Sequence, residues 1–436
     1  MKLSVIGCGY LGAVHAAAMA SIGHDVVGID VDVRKIEALQ QGHAPFYEPG
    51  LPEILQQGIA SGRLRFTTDM SEAADATVHF VGVGTPQQRD GDAADLTYVN
   101  AAIDDLLPFL KPDDIVVGKS TVPVGTAAQL TPRVDAVGAT LVWNPEFLRE
   151  GWAVQDTIHP DRIVVGIPPT EAGTRASNIL REVFHTATAN DTPFIVTDLA
   201  TSELVKVAAN AFLATKISFI NAMAEIAEVT GADVTQLADA IGHDDRIGRR
   251  FLGAGIGFGG GCLPKDIRAF AARAEELGRG ESVAFLREVD EINVRRRDRA
   301  VQLVVGALGG QVYNKRVTVL GAAFKPHSDD IRDSPALDVA VRLRGLGALV
   351  TVTDPAALAN AQAQHPQLTY VHDRDAALQG ADAVIVVTEW DEYRRNLTPE
   401  HAASLVNQRI IVDGRNCLDP SAWRAAGWSY YGMGRP

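Results

Sequence analysis

Three cysteines, Cys8, Cys262 and Cys417, are all that the 436 residues contain, and none stands in a Cys-x-x-Cys pair. A disulfide framework and a zinc site of paired cysteines are therefore not expected, and a reducing cytoplasm is the compartment that suits such a chain. Positive charge is short as well. With 40 Lys and Arg against 54 Asp and Glu, the net charge of −14 argues against nucleic acid or an anionic membrane as a partner. Met1-Lys-Leu-Ser-Val-Ile-Gly7 lacks the apolar core and cleavage site of a secretory leader. No apolar run approaches membrane-spanning length on this reading. What remains is the composition of an ordinary soluble protein, 46% hydrophobic and 22% charged, at a length that fills two or three domains. Any anionic ligand must then be met by local Lys, Arg and backbone N–H groups.

Glycine is concentrated in one stretch. Between Phe251 and Asp266, six of sixteen residues are glycine, and the run ends in Cys262-Leu-Pro264-Lys265-Asp266. Such a backbone can approach a ligand where a side chain would stand in the way. Pro264 is favoured in the first turn of a helix, so Cys262 is expected at a helix N-terminus beside Lys265, two features that favour the thiolate. A flexible loop with a small buried cysteine and an ordinary acidic helix start is the competing reading of this stretch.

Taken from its start, the chain reads as strand (Leu3 to Ile6), glycine turn (Gly7-Cys-Gly9-Tyr-Leu-Gly12), helix, strand and then Asp30. That order is the dinucleotide fingerprint, and the carboxylate of Asp30 would accept from ribose hydroxyls and repel a 2′-phosphate, which selects NAD over NADP. Further strands are expected at 76–81, 114–118, 140–143 and 162–166, giving a parallel, doubly wound sheet with its ligand side at the strand C-termini. The residues at those ends are Gly82-Val-Gly-Thr85-Pro, Lys119-Ser120-Thr121-Val-Pro-Val-Gly125 and Asn144-Pro-Glu146-Phe-Leu-Arg-Glu150. Each could be a plain turn or helix cap.

Residues 198–231 form a run free of internal Pro and Gly, expected as one long helix bridging two domains, its apolar surface suited to a dimer seam. Glu203, Lys206 and Asn210 share a face of it. Lys206 reads either as a solvated charge or partner of Glu203, or, given its apolar neighbours, as a partly buried group. After residue 311 strands alternate with helices again, and Gly321-Ala-Ala-Phe324-Lys325 stands in place of the glycine fingerprint. This is expected to be a second Rossmann-like fold holding a different ligand, with Lys325, Arg332 and Arg415 as strand-end cations. The domains expected are thus 1–197, 198–310 and 311–436, with the site in the cleft between the two folds.

These motifs, in this order over essentially the whole chain, resemble the UDP-glucose/GDP-mannose dehydrogenases. The match rests on Gly7-x-Gly-x-x-Gly12, Tyr47-Glu-Pro-Gly-Leu51, Gly84-Thr-Pro86, Lys119 to Gly125, Asn144 to Glu150, Lys206 with Asn210, Gly259 to Asp266, Phe324-Lys325 and Asp413-Gly-Arg415. The resemblance implies two hydride transfers to NAD that carry C6 of a nucleotide sugar from alcohol to acid, nearest to the branch that makes UDP-glucuronate from UDP-glucose. It implies a thiohemiacetal and then a thioester on Cys262, with Lys206 and Asn210 holding the oxyanion, Asp266 and Thr121 positioning a water, and Glu150 assisting hydrolysis. It places Gly7, Gly9, Tyr10, Leu11, Gly12, Asp30, Lys35, Thr85, Ser120, Thr121, Glu150, Lys265 and Arg332 around NAD. Glu146, Phe147, Leu148, Lys206, Asn210, Phe251, Phe258, Gly259, Cys262, Phe324, Lys325 and Arg415 would meet the nucleotide sugar, and Arg246 the substrate of a neighbouring subunit. No metal is implied.

Gly253 and Gly261 depart from residues common among such proteins. Gly253 leaves other substrates open: dTDP-glucose, GDP-mannose or a UDP-N-acetylhexosamine. A two-electron hydroxyacid dehydrogenase would need neither Cys262 nor a second nucleotide fold, and a non-catalytic sugar-nucleotide binder would not need every catalytic position filled.

Overall fold

A computed structural model describes residues 1–436. The chain divides into two compact units, Met1–Ala209 with Ala272–Gly278, and Asn210–Ala271 with Arg279–Pro436.

The first unit is built on eight strands: β1 (Lys2–Ile6), β2 (Asp25–Ile29), β3 (Leu64–Thr67), β4 (Val78–Val81), β5 (Ile115–Gly118), β6 (Thr140–Trp143), β7 (Ile163–Ile167) and β8 (Phe194–Asp198). Their order across the sheet is β3-β2-β1-β4-β5-β6-β7-β8. The central strands β4 and β5 are buried along their whole length, because helices cover both faces. The apolar clusters on the two faces include Leu3, Val14, Phe80 and Val117 on one, and Ile103, Leu106, Leu141 and Trp143 on the other. The pairing is parallel except at β6 and β7, which meet antiparallel through Trp143 and Gly166. Between those two strands the chain has a loop and one short helix, Ala153–Ile158, in place of the full crossover that a parallel neighbour requires.

The second unit has six strands, all parallel: β9 (Arg316–Leu320), β10 (Leu349–Thr353), β11 (Thr369–Tyr370), β12 (Ala383–Val386), β13 (Ile410–Asp413) and β14 (Ser429–Gly432), in the order β11-β10-β9-β12-β13-β14. The α/β class with two doubly wound sheets and a long helix between them in the chain is the one expected from the sequence.

That helix is Leu199–Thr230, 32 residues, and it runs from the first unit into the second. By length and composition it could cross a membrane, which the sequence reading denied to every apolar run. Two of its polar side chains, however, bond elsewhere in the chain. Asn221, fully buried, accepts from Gly255 N at 2.9 Å, and Glu228 holds both Arg296 (3.1 Å) and Arg299 (2.6 Å). These are the marks of a helix that packs inside a protein.

Candidate functional site

In the first unit the turn after β1 is shaped for a phosphate. Gly7 has φ of +88°, and a Cβ at Gly12 would lie 1.7 Å from the Gly7 carbonyl oxygen, so only glycine lets the helix Tyr10–Ser21 start this close to the strand. The helix begins at Tyr10 with neither a side-chain cap nor an acidic residue in its first turn, which leaves its leading N–H groups for an anion. At the end of β2, Asp30 accepts from Cys8 N (2.7 Å) and Asp32 N (2.9 Å) and pairs with Lys35 at 2.8 Å. A cradle without side chains, an uncapped helix and a carboxylate one strand away fit a dinucleotide. Burial drives the Cys8 thiol above its usual range, with the Asp30 charge adding to the effect, so Cys8 is an inert part of this wall.

The ends of the neighbouring strands are bonded to one another. Thr85 Oγ1 donates to Thr121 O (2.8 Å), and Ser120 Oγ to Val83 O (2.6 Å). Lys206 is buried and its ammonium lies 3.0 Å from Glu146 Oε1, while Glu146 Oε2 accepts from Leu148 N at 2.7 Å. The pairing with Glu203 is not formed. Glu203 instead accepts from Gly125 N (2.7 Å) and Ala127 N (2.6 Å), capping the helix Thr126–Asp135. Phe147 lies beneath Arg162, whose guanidinium carbon is 3.8 Å from the ring centroid.

Two residues here lie in motifs quoted from the sequence but were given no role of their own. Lys119 is buried at the end of β5, donates to Asn144 Oδ1 at 2.9 Å, and is flanked by the rings of Phe80 and Phe184. Burial pulls its ammonium down to about 8, with Glu146 raising and Lys206 lowering it. Glu48 is also buried. It accepts from Tyr10 OH, Gly151 N (2.6 Å) and Ala153 N (2.7 Å), and so ties the fingerprint helix to the peptide that follows Glu150. Burial and the bond to Glu48 hold the Tyr10 phenol above its usual range. The signals available were an ionisable residue ending the apolar strand Ile-Val-Val-Gly and the Tyr-Glu-Pro-Gly sequence.

In the second unit Cys262 is exposed and directly precedes the helix Leu263–Glu276, whose Asp266 N donates to Cys262 O at 2.8 Å. A negative sulfur at that position is favoured by the helix dipole. Lys265 turns to Asp266, 2.7 Å from Oδ1, and Asn210 Nδ2 donates to Asp266 Oδ2 at 2.6 Å. Asn210 and Asp266 therefore form a buried pair just inside the cysteine helix, with the half-buried Lys265 closing over it.

The glycine stretch before Cys262 is braced from the second sheet. Ile256 N donates to Gly414 O at 2.7 Å, and Gly260 N to Arg332 O at 2.8 Å. Arg415 donates to the carbonyls of Gly257 (2.8 Å), Phe324 (2.9 Å) and Val387 (2.8 Å), so most of its reach goes to joining three segments. Arg332 chelates Asp330 and lies where a Cβ on Gly261 would stand, 2.2 Å from its guanidinium carbon. Phe258 is buried, and Gly259 packs on the Asp333 carbonyl. Lys325 sits 5.3 Å over the Phe324 ring. Phe251 is exposed at φ of +65°, and a side chain at Gly253 would meet nothing within 4 Å. Arg246 lies on an exposed turn with its guanidinium on Asp244.

Three family models cover the chain in register with this architecture. Residues 1–188 match the NAD binding domain of the UDP-glucose/GDP-mannose dehydrogenase family, residues 200–295 its central domain, and residues 318–420 its UDP binding domain. The chain is 41% identical to a UDP-glucose 6-dehydrogenase of Rhizobium meliloti over 100% of both proteins. Among solved structures, a UDP-glucose dehydrogenase from Pyrobaculum islandicum aligns with a TM-score of 0.89 at 39% identity, over 100% of this chain and 98% of that one. A UDP-D-ManNAc dehydrogenase from Pyrococcus horikoshii aligns at 0.85 and 26% identity, over 100% of this chain and 99% of that one.

Proposed function

Since the chain belongs to the UDP-glucose/GDP-mannose dehydrogenase family, we propose that it oxidises C6 of UDP-glucose from alcohol to carboxylate, yielding UDP-glucuronate. The observation that carries this reading is the exposed Cys262 at the head of its helix, beside the buried Asn210–Asp266 pair. NAD, the cofactor of the family's first domain, supplies the hydride acceptor when bound.

The chain's own residues account for the rest. Loss of a hydride from C6 and a proton from its hydroxyl gives an aldehyde, whose remaining C6–H cannot leave as hydride until a nucleophile makes the carbon tetrahedral. Addition of the Cys262 thiolate to that carbonyl gives a thiohemiacetal, from which the second hydride can leave as the carbonyl reforms in a thioester. Water then adds to the thioester carbon, expels the thiolate and leaves the carboxylate. The Lys206 ammonium and the Asn210 amide are donors suited to the oxyanion of each adduct. Asp266, Thr121 and Glu150 handle water and its proton. Gly253 leaves space beside the substrate loop, and the UDP moiety is assigned to the second sheet, with Phe324, Lys325 and Arg415 at its strand ends.

Compartment and assembly follow the same reasoning. A reactive thiol among three unpaired cysteines belongs in a reducing cytoplasm. Phe212, Phe219, Ile226 and Val229 form an exposed stripe on one face of the long helix, with Phe212 66% exposed, and a second copy of the chain is the partner that covers it. Light scattering should give a dimer that Phe212→Asp with Phe219→Asp converts to monomer; a monomeric native chain would refute this.

The deciding measurement is NADH formed per sugar when the enzyme meets limiting UDP-glucose and excess NAD. Two per sugar, lost in Cys262→Ala, is the expected result. One per sugar would remove the thioester from the scheme, and none would move the substrate to another nucleotide sugar.

A further inference from the structure

The glycine stretch that presents Cys262 is gripped from behind by the helix Phe285–Ala307, at a residue outside the proposed chemistry. Asn293, fully buried on that helix, accepts from Phe258 N at 2.7 Å and donates to Phe258 O at 2.9 Å. One side-chain amide thus meets both polar groups of one residue, as a neighbouring strand would, and fixes its rotation as well as its position. The contact is close on the adjacent residue too. Gly257 has φ of +95°, and a Cβ there would lie 2.3 Å from Asn293 Oδ1, so the loop is glycine at this point to seat the amide. One helical turn further on, Arg297 donates to the carbonyls of Phe258 (3.4 Å) and Asp333 (3.3 Å). Asp333 O is in turn the atom on which Gly259 packs. The same helix face therefore holds residue 258 and the segment against residue 259, immediately before Gly260-Gly261-Cys262.

We propose that Asn293 is a positioning residue for Cys262, acting through the Phe258 peptide to keep the cysteine at the head of its helix. The inference rests on the reading of Cys262 as nucleophile, but its consequence for the thiol does not need turnover to be seen. If the amide is removed, Phe258 N–H loses its partner in a buried place and Phe258 C=O keeps only the longer bond from Arg297, the loop relaxes, and the sulfur departs from the helix N-terminus that favours its anion.

The test is the rate of iodoacetamide alkylation at Cys262 across pH, read by peptide mass, in the native chain, Asn293→Ala and Asn293→Asp, with circular dichroism verifying the fold. Cys8 is fully buried and serves as the unreacted internal control. The alkylation midpoint of Asn293→Ala should move up toward the free-cysteine value of about 8.5. With UDP-glucose, its kcat should fall about tenfold or more while KM changes less than about threefold. Asn293→Asp keeps the acceptor and regains a donor only when its carboxyl is protonated, so its alkylation rate relative to the native chain, which a raised thiol midpoint makes fall with pH, should turn upward again as pH drops through the carboxyl's own titration. Should Asn293→Ala fail to fold, this recovery carries the test. A folded Asn293→Ala with the native midpoint, or an Asn293→Asp whose relative rate shows no upturn at low pH, overturns the proposal. Absence of NADH in the native chain together with the expected alkylation shift would reject UDP-glucose oxidation and leave the positioning role standing.

Discussion

The two sheets share one strand order and even one set of backbone bonds, yet they use the acidic residue at the same place in opposite ways. β3-β2-β1-β4-β5-β6 and β11-β10-β9-β12-β13-β14 superimpose in topology, and in each the glycine after the first strand donates to the last residue of the second, Gly7 N to Ile29 O and Gly321 N to Thr353 O, both at 2.8 Å. Asp30 and Asp354 follow those second strands, and each accepts from the residue after the glycine and from the residue two places ahead of itself. There the likeness ends. Asp354 also takes Ala323 N, Ala357 N and the indole of Trp390, and is buried as a brace. Asp30 has only Lys35 besides, and a helix begins at Tyr10 beside it, whereas after Gly321 no helix starts until Pro335. The same fold thus leaves the carboxylate with few partners or makes it a buried brace, depending on what covers the strand end.

The largest effect expected from this contrast is in Asp354→Ala. Five donors would lose their acceptor together. At about 1 kcal/mol or more per buried group left unpaired, the loss should exceed about 4 kcal/mol. Urea denaturation followed by tryptophan fluorescence reads it, and a loss below about 1 kcal/mol would show that Asp354 is no brace.

Strand ends supply the next test. At the end of β13 the buried group is the Asp413 carboxylate, which accepts from Leu418 N (2.8 Å) and Tyr430 OH (2.9 Å). At the end of β5 it is the Lys119 ammonium, bonded to Asn144 Oδ1. Below about pH 8 that ammonium is charged in the native and the unfolded chain alike, and the native chain bears the cost of burying it. Between about 8 and the ordinary lysine value of 10.5 the native chain has released a proton that the unfolded chain still holds, so stability from this site rises with pH. The unfolding free energy of the native chain minus that of Lys119→Met should therefore grow by about 3 kcal/mol from pH 7 to 10.5. A flat difference would mean that Lys119 carries no desolvation cost.

Much of this contrast was legible before any coordinates. Strands such as Ile115–Gly118 announce themselves as apolar runs, and the glycines with Asp30 spell the dinucleotide fingerprint in a stretch that matches an NAD binding domain. β3, β8, β11 and β14 escaped the sequence reading because they are short, half exposed or at a sheet edge, as in Phe194–Asp198, where no residue is fully buried. Partners were harder than positions. The face shared by Glu203 and Lys206 suggested a local pair, but each found a better partner far along the chain, a helix N-terminus for one and Glu146 for the other. Such contacts have no period in the sequence. The apolar neighbours of Lys206 did signal its burial, and the Gly-rich stretch signalled closeness of packing more than flexibility.

Asp30→Ala should show the smallest effect and the one that separates the two carboxylates most cleanly. If Asp30 faces the ribose of the cofactor, its removal deletes charge-assisted hydrogen bonds worth about 1.5–3 kcal/mol, so KM for NAD should rise about ten- to a hundredfold. The repulsion that a 2′-phosphate would meet disappears with the same carboxylate, so KM for NADP should hold steady or fall. Stability should change less than in Asp354→Ala, because two backbone donors lose an acceptor where five donors lose one. Steady-state kinetics with each cofactor and one denaturation curve decide it: equal losses of NAD and NADP use, with a large loss of stability, would make Asp30 a second brace and erase the distinction between the sheets.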